Sequence, residues 1–200
     1  MSEPRIGRVL VASLHQSIAD LLPMRLEFYE NWLNPSGLRE GTIGLAPLSA
    51  VLSFLRGEGD AYGLITARAG EYAAAWTVDG VPAFERRLAR SLPLNLRARM
   101  GLRTARMFVR STYPGSRAIT TVKKGTVSID LRGSLFCEVR EAQPLPLCGF
   151  YASAIQRILQ LFDVPADVRV NQCRAEVPGQ RGCLLFVSMS GRAAGDAVAA

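Results

Sequence analysis

The chain reads as an α+β protein: a helical N-terminal half, then an antiparallel sheet with one late helix packed across it. Three observations predict this. Apolar residues recur at helical spacing as far as Tyr113. From Arg117 the period changes to strand alternation, as in Val127, Ile129 and Leu131. One further helical stripe, Tyr151, Ala154, Ile155, Ile158 and Phe162, interrupts the strands.

In chain order, Leu10, Leu14, Ile18, Leu21 and Leu22 predict a first helical stripe, which resumes at Leu26, Tyr29 and Leu33. Pro23 divides it, because proline disfavours helical geometry at the residue before it and removes a backbone donor. Asn34-Pro35-Ser36-Gly37 stops the segment. A short helix is predicted over residues 47–56, with Pro47 in its first turn. Gly57-Glu58-Gly59-Asp60 ends that helix, and another is expected over residues 66–75. Residues 82–113 should be helical with a break near Pro93, one stripe being Phe84, Leu88 and Leu92 and the next Leu96, Met100 and Met107.

Tyr113-Pro114-Gly115-Ser116 is a strong break. Residues 119–123 and 126–131 then form a hairpin about Lys124-Gly125. Leu135, Cys137 and Val139 alternate as a further strand. The late helix ends at Asp163-Val164-Pro165, and residues 168–173 and 183–189 read as closing strands. A single domain over residues 1–191 with a loose tail at 192–200 is expected.

Composition narrows the function. The chain has 200 residues, 48% of them apolar, with 24 basic and 17 acidic side chains giving a net charge of +7. No apolar run approaches the roughly 20 residues that span a bilayer. The opening segment, residues 5–14, carries only a short apolar stretch and is followed by His15, Gln16 and Asp20, so an export signal is not expected and a cytoplasmic setting is. There, the four cysteines should be free or metal-bound rather than disulfide-paired.

Much of the positive charge is Arg86, Arg87, Arg90, Arg97, Arg99, Arg103, Arg106 and Arg110. These form either a solvated helix face or a contact for an anionic surface or protein partner. Nucleic acid is not expected, because no recognition motif accompanies the arginines and no aromatics are interleaved among them. With one histidine, His15, no multi-imidazole site can form, and no nucleophile elbow is present. Gly41-Thr42-Ile43-Gly44 lacks the spacing and setting of a phosphate loop, so no nucleotide cofactor is expected.

The thiols are Cys137, Cys148, Cys173 and Cys183, widely spaced and without a local CxxC knuckle. From spacing alone they are either buried small apolar residues or ligands of one ion. The aromatics Phe28, Trp32, Trp76, Phe108 and Tyr151 are either ordinary core or the lining of an apolar pocket.

Cys148-Gly149-Phe150-Tyr151-Ala152-Ser153, then Cys173-Arg174-Ala175 and Gly179-Gln180-Arg181-Gly182-Cys183, set a thiol before a helix and two thiols around the following loop. Over residues 107–189 this resembles the 4-vinyl reductase domain. Its superfamily also includes transport-particle (TRAPP) subunits and the sensor domains of phenol-responsive bacterial activators. In the phenol-sensing relatives three such thiols bind zinc with one glutamate, so the resemblance implies Cys148, Cys173 and Cys183 as ligands. Val170 stands where that glutamate would be. Cys137 is the candidate for the missing ligand, and Glu138, which strand alternation sends to the opposite face, is the lesser one. Four thiolates suit zinc first and an iron–sulfur cluster second.

The resemblance further implies a small hydrophobic ligand, such as a tetrapyrrole or an aromatic hydrocarbon, enclosed between helices and sheet. It would be bound by a carrier, sensor or assembly factor. The alternative is a TRAPP-like scaffold, homodimeric through the first helix. A reductase acting on a vinyl group in bacteriochlorophyll synthesis comes third, since the sequence shows no redox cofactor site.

Overall fold

The computed structural model describes residues 6–33, 44–123, 126–177 and 179–189. The stop at 34–37, the glycine loop at 41–43, the hairpin turn at 124–125 and the tail at 192–200 lie outside the described residues. The architecture is α+β, with seven α-helices and a four-stranded antiparallel sheet among the described residues.

Helix α1 spans Arg8–Leu21 and buries Leu10, Val11, Leu14 and Ile18. Pro23 opens a 3-10 turn, Pro23–Arg25, which divides α1 from α2, Leu26–Leu33, as its fixed φ and missing N–H require. Leu21, expected in the buried stripe, is 44% exposed. Helix α3, Leu45–Arg56, begins just before Pro47. Helix α4 is longer than its sequence signal, running Asp60–Asp79 rather than over 66–75. Its buried face is built largely from Ile65, Ala69, Gly70, Ala73 and Ala74, and small residues carry a weak hydrophobic signal.

Helices α5, Ala83–Ser91, and α6, Leu94–Thr112, divide at Pro93 as expected. Their inward face is not the expected one. Phe84 is 69% exposed, Leu88 60% and Met107 63%, while Ala89, Ala98, Gly101, Leu102, Ala105 and Phe108 are buried. Small residues let α6 approach the late helix closely: a Cβ on Gly101 would press on the Leu159 side chain. Close approach decided the helix phase, and Phe84, Leu88 and Met107 were left outside.

Strands β1, Arg117–Lys123, and β2, Thr126–Arg132, pair antiparallel with Lys123 opposite Thr126. Helix α7, Gly149–Leu161, precedes β3, Ala166–Gln172, and β4, Gly182–Met189. The sheet order is β1-β2-β4-β3. Register aligns Thr120, Ile129, Leu185 and Val170 in one row, and Ala118, Leu131 and Cys183 in another. The expected strand through Leu135, Cys137 and Val139 is instead a 3-10 turn, Leu135–Cys137, in which all three residues are buried. Three consecutive buried side chains cannot alternate across a strand, so the period-two reading failed there.

Helix α7 lies between layers. It packs against β3 on one side and against α4 and α6 on the others, with α1 behind α4. Phe150, Tyr151, Ala154, Ile155, Ile158 and Leu159 are all fully buried. The α4–α7 crossing is close enough that a Cβ on Gly70 would collide with the Phe150 carbonyl oxygen. Gly70→Ala should therefore cost about 1–3 kcal/mol through overpacking, read as a lowered urea midpoint at unchanged slope. A variant as stable as the parent would show that the two helices can separate freely.

Candidate metal centre and the adjoining hollow

Four elements each deliver one thiol to the same point. Cys137 ends the 3-10 turn after β2, Cys148 is the residue before α7, Cys173 follows β3, and Cys183 is near the start of β4. All four are buried, and their sulfurs lie within 4.8 Å of one another. The Cys137–Cys173 and Cys137–Cys183 sulfurs are each 3.5 Å apart, and Cys173–Cys183 are 3.7 Å apart. A disulfide would need about 2.05 Å, so these are free thiols.

The spacing suits one tetrahedral ion. With metal–sulfur bonds of about 2.3 Å, a regular tetrahedron has edges of about 3.8 Å. The close pairs above lie near that edge. A polynuclear iron–sulfur cluster takes its thiolates on separate irons and needs them farther apart. The donor set can bind a metal, and its geometry matches a single soft ion.

Backbone groups also support the sulfurs. The Arg174 N–H donates to Cys183 Sγ at 3.4 Å, and a backbone hydrogen bond from Ala175 works to lower the Cys173 thiol. Hydrogen bonds from Cys137 and then Cys148 push both Cys173 and Cys183 down from the ordinary thiol range. Cys148 is pushed up by its hydrogen bonds to Cys137, Cys173 and Cys183 and by burial. For Cys137, Cys148 works to lower it, but Cys173, Cys183 and burial prevail and push it up.

The 3-10 turn aims Cys137 into the cluster, while Glu138 is exposed and outside it. Glu138's exclusion thus follows from a turn and not from strand alternation. Val170 lies on β3 in the row of Leu185 and Ile129.

Cys137 and Cys148 are the two ends of the segment 138–147, which forms one wall of a hollow of about 250 Å³. Its lining includes Pro144, Leu145, Pro146 and Leu147 from the segment, Tyr62 from α4, and Arg56 from the end of α3. The segment is tied down by Gln143 N–H donating to Ala175 O at 2.8 Å and by Tyr62 Oη–H donating to Leu147 O at 3.1 Å. Burial pushes the Tyr62 phenol up, so it remains a neutral donor. Arg56 Nη2 donates to Phe136 O at 3.5 Å, and its buried Nε–H has no partner among the described residues. Sequence reasoning missed this hollow, because a loop wall has no period. Its one signal was Pro144-Leu145-Pro146-Leu147 standing directly before Cys148.

The five expected lining aromatics occupy three separate places. Phe28 and Trp32 gather on Phe54, at ring distances of 5.1 and 5.5 Å, and all three are partly exposed. Trp76 stacks on Tyr72 at the surface of α4. Phe108 and Tyr151 are in the packed core around Phe136 and Phe150, where the Tyr151 hydroxyl meets Thr112 at 3.0 Å and Ser116 at 3.2 Å. None of the five lines the hollow beside the thiols. His15 pairs with Glu30 at 2.8 Å. No described helix is long and apolar enough to cross a membrane.

No protein-family profile matches the sequence, and no curated protein matches it. Among solved structures, a similar one is the phenol-responsive sensory domain of the transcription activator PoxR with phenol. It aligns at a TM-score of 0.48 and 14% identity over 75% of this chain and 77% of that one.

Proposed function

We propose that the chain is a binding module for a small hydrophobic molecule, with a zinc ion held by Cys137, Cys148, Cys173 and Cys183 as its structural tie. The observation that carries this reading is the group of four buried sulfurs within 4.8 Å of one another. A closed four-thiolate site leaves no coordination position for a substrate, so the ion's role is folding and not catalysis. It would clamp both ends of segment 138–147 and so fix the wall of the hollow. A cytoplasmic setting, which keeps thiols reduced, accords with this.

The hollow's size and chemistry select its occupant. At about 250 Å³, it falls below the roughly 300–1,000 Å³ of drug-sized sites, which favours a one- or two-ring aromatic over a tetrapyrrole. Pro144, Leu145 and Leu147 offer apolar contact, and the Arg56 guanidinium in the wall offers positive charge for an anionic oxygen. No redox group is needed for such binding, so carrier or sensor is the preferred role and a vinyl reductase is not.

Native mass spectrometry of the chain, purified without added metal, should show one zinc per chain. Calorimetric titration of that protein with 2-naphthoate should show one site, weakened about tenfold by Arg56→Ala through loss of a charge-assisted hydrogen bond. A metal-free chain at full stability would refute the tie, and unchanged naphthoate binding in Arg56→Ala would refute the hollow. A second reading, a homodimeric scaffold, is favoured by the partly exposed Phe28, Trp32 and Phe54 on α2 and α3. Sedimentation equilibrium should then show a concentration-dependent dimer that Trp32→Ala abolishes.

A further inference from the structure

We propose that the groove between α6 and β1 is a docking site for an extended acidic peptide that adds to the edge of the sheet. The groove measures about 510 Å³ and is lined by Arg103, Arg106, Met107 and Arg110 of α6 and by Ala118, Ile119 and Thr120 of β1. It shares no lining residue with the hollow and includes none of the thiols. It therefore stands independently of the module's ligand.

Three features converge on that occupant. The first is backbone. In the order β1-β2-β4-β3, β1 is an outer strand. Every second residue of such a strand turns its N–H and C=O away from its one neighbour, ready for another strand. The second is charge. Among the described residues, Arg103, Arg106 and Arg110 make no ion pair. The nearest carboxylate in register is Asp130, opposite Ile119, and it is already paired with Arg132 at 2.7 Å. The groove thus carries uncompensated positive charge. The third is the apolar surface: Met107 is 63% exposed and Ile119 45%.

Spacing joins the three. Arg106 and Arg110, one helical turn apart, are separated by about 6 Å along the axis. Alternate residues of an extended chain are about 6.8 Å apart on one face. A peptide with carboxylates at every second position would meet successive guanidiniums, which pair well with carboxylates. Its intervening apolar side chains would face the opposite way along the groove, while its backbone pairs with β1. Backbone pairing would give affinity and the alternate side chains specificity, as in other strand-addition sites. A nucleic acid duplex is too wide for a helix–strand cleft, and a bilayer cannot enter one.

The test uses the whole chain and a fluorescein-labelled alternating Glu-Val octapeptide in an anisotropy titration. Saturable binding is expected, about tenfold or more tighter than for a block isomer of the same composition. It should weaken as salt rises, because exposed charge pairs are screened. Arg106→Glu with Arg110→Glu should weaken it about tenfold or more without moving the melting curve, since both side chains are exposed. N-methylation of alternate peptide bonds in the probe, which leaves its charge intact, should abolish binding in one of the two registers. If the arginines only guard an open edge against self-pairing, no saturable binding will appear, and the proposal fails. It fails equally if the block isomer or both N-methylated probes bind as well as the alternating peptide. Capture by phosphatidylserine vesicles or single-stranded DNA that the peptide cannot displace would also overturn it.

Discussion

Cys148→Ser is expected to lose the zinc proposed for the four thiols and most of the folded population at 37 °C. The residue stands at the junction of the thiol cluster, the segment 138–147 and the start of α7, where its carbonyl accepts from Tyr151 N–H at 3.1 Å and Ala152 N–H at 3.2 Å. Structural zinc contributes roughly 10–16 kcal/mol of apparent binding free energy in small zinc-dependent peptides. A domain's whole stability is only about 5–15 kcal/mol. Even a fraction of the first quantity is therefore decisive. Zinc content by elemental analysis should fall below stoichiometric, and the far-UV circular dichroism melt should move down by more than 10 °C or broaden, given about 2–4 °C per kcal/mol for a chain of this size.

Chelation of the parent protein should produce the same melt, with recovery on adding zinc back. Acid should release the ion as well, because protons compete for thiolates. A Cys148→Ser protein that never held metal and melts with its parent would reduce the four thiols to ordinary core residues.

The sequence made the late part of the fold legible, and the reasons are visible in particular residues. Tyr151, Ile155 and Ile158 share one helical face and are large, so their phase was unambiguous. Val127, Ile129 and Leu131 alternate on one face of β2, with the observed burial following each step. The middle helices were less legible because their contacts are made largely by small side chains, whereas Leu10, Leu14, Ile18, Tyr29 and Leu33 are buried as their stripe predicts. On α4 and α6, Gly70, Ala73, Ala98, Gly101 and Ala105 are buried, whereas Phe84 and Leu88 of α5 and Met107 of α6 face outward. Burial of apolar residues is a one-way tendency, so a stripe of large ones need not mark the inside.

The candidate site divides in the same way. The thiols could be proposed from their order along the chain, but their separation could not, since it depends on how a 3-10 turn, a helix start and two strands end together. The aromatics were the harder case. A ring in a core and a ring in a pocket lining look alike in sequence, and here Phe108 and Tyr151 are core while Phe28, Trp32 and Trp76 are at the surface. The hollow by segment 138–147 is built by proline-rich backbone that carries no periodic signal.

Ile158→Asp is expected to be the most damaging single substitution on α7. Ile158 is fully buried on the helix that packs on α4, α6 and β3. Ile158 is on the buried side of the helix, away from the exposed Arg157 and Gln160, so a carboxylate there has no short way to water. Burying an unpaired charge is so costly that the group would take up a proton, or the structure would open, instead of remaining ionised. The loss should exceed about 4 kcal/mol, at the extreme of what one substitution does. Ile158→Val removes one methylene at the same place and should cost only about 0.5–1.5 kcal/mol, which separates the charge from the lost volume. Because the aspartate is easier to bury protonated, the Ile158→Asp protein should recover part of its helical signal as pH is lowered from neutral. Equal midpoints for Ile158→Asp and the parent at neutral pH would mean that this face of α7 is open to solvent and that the packing between the helical layers and the sheet is not as described.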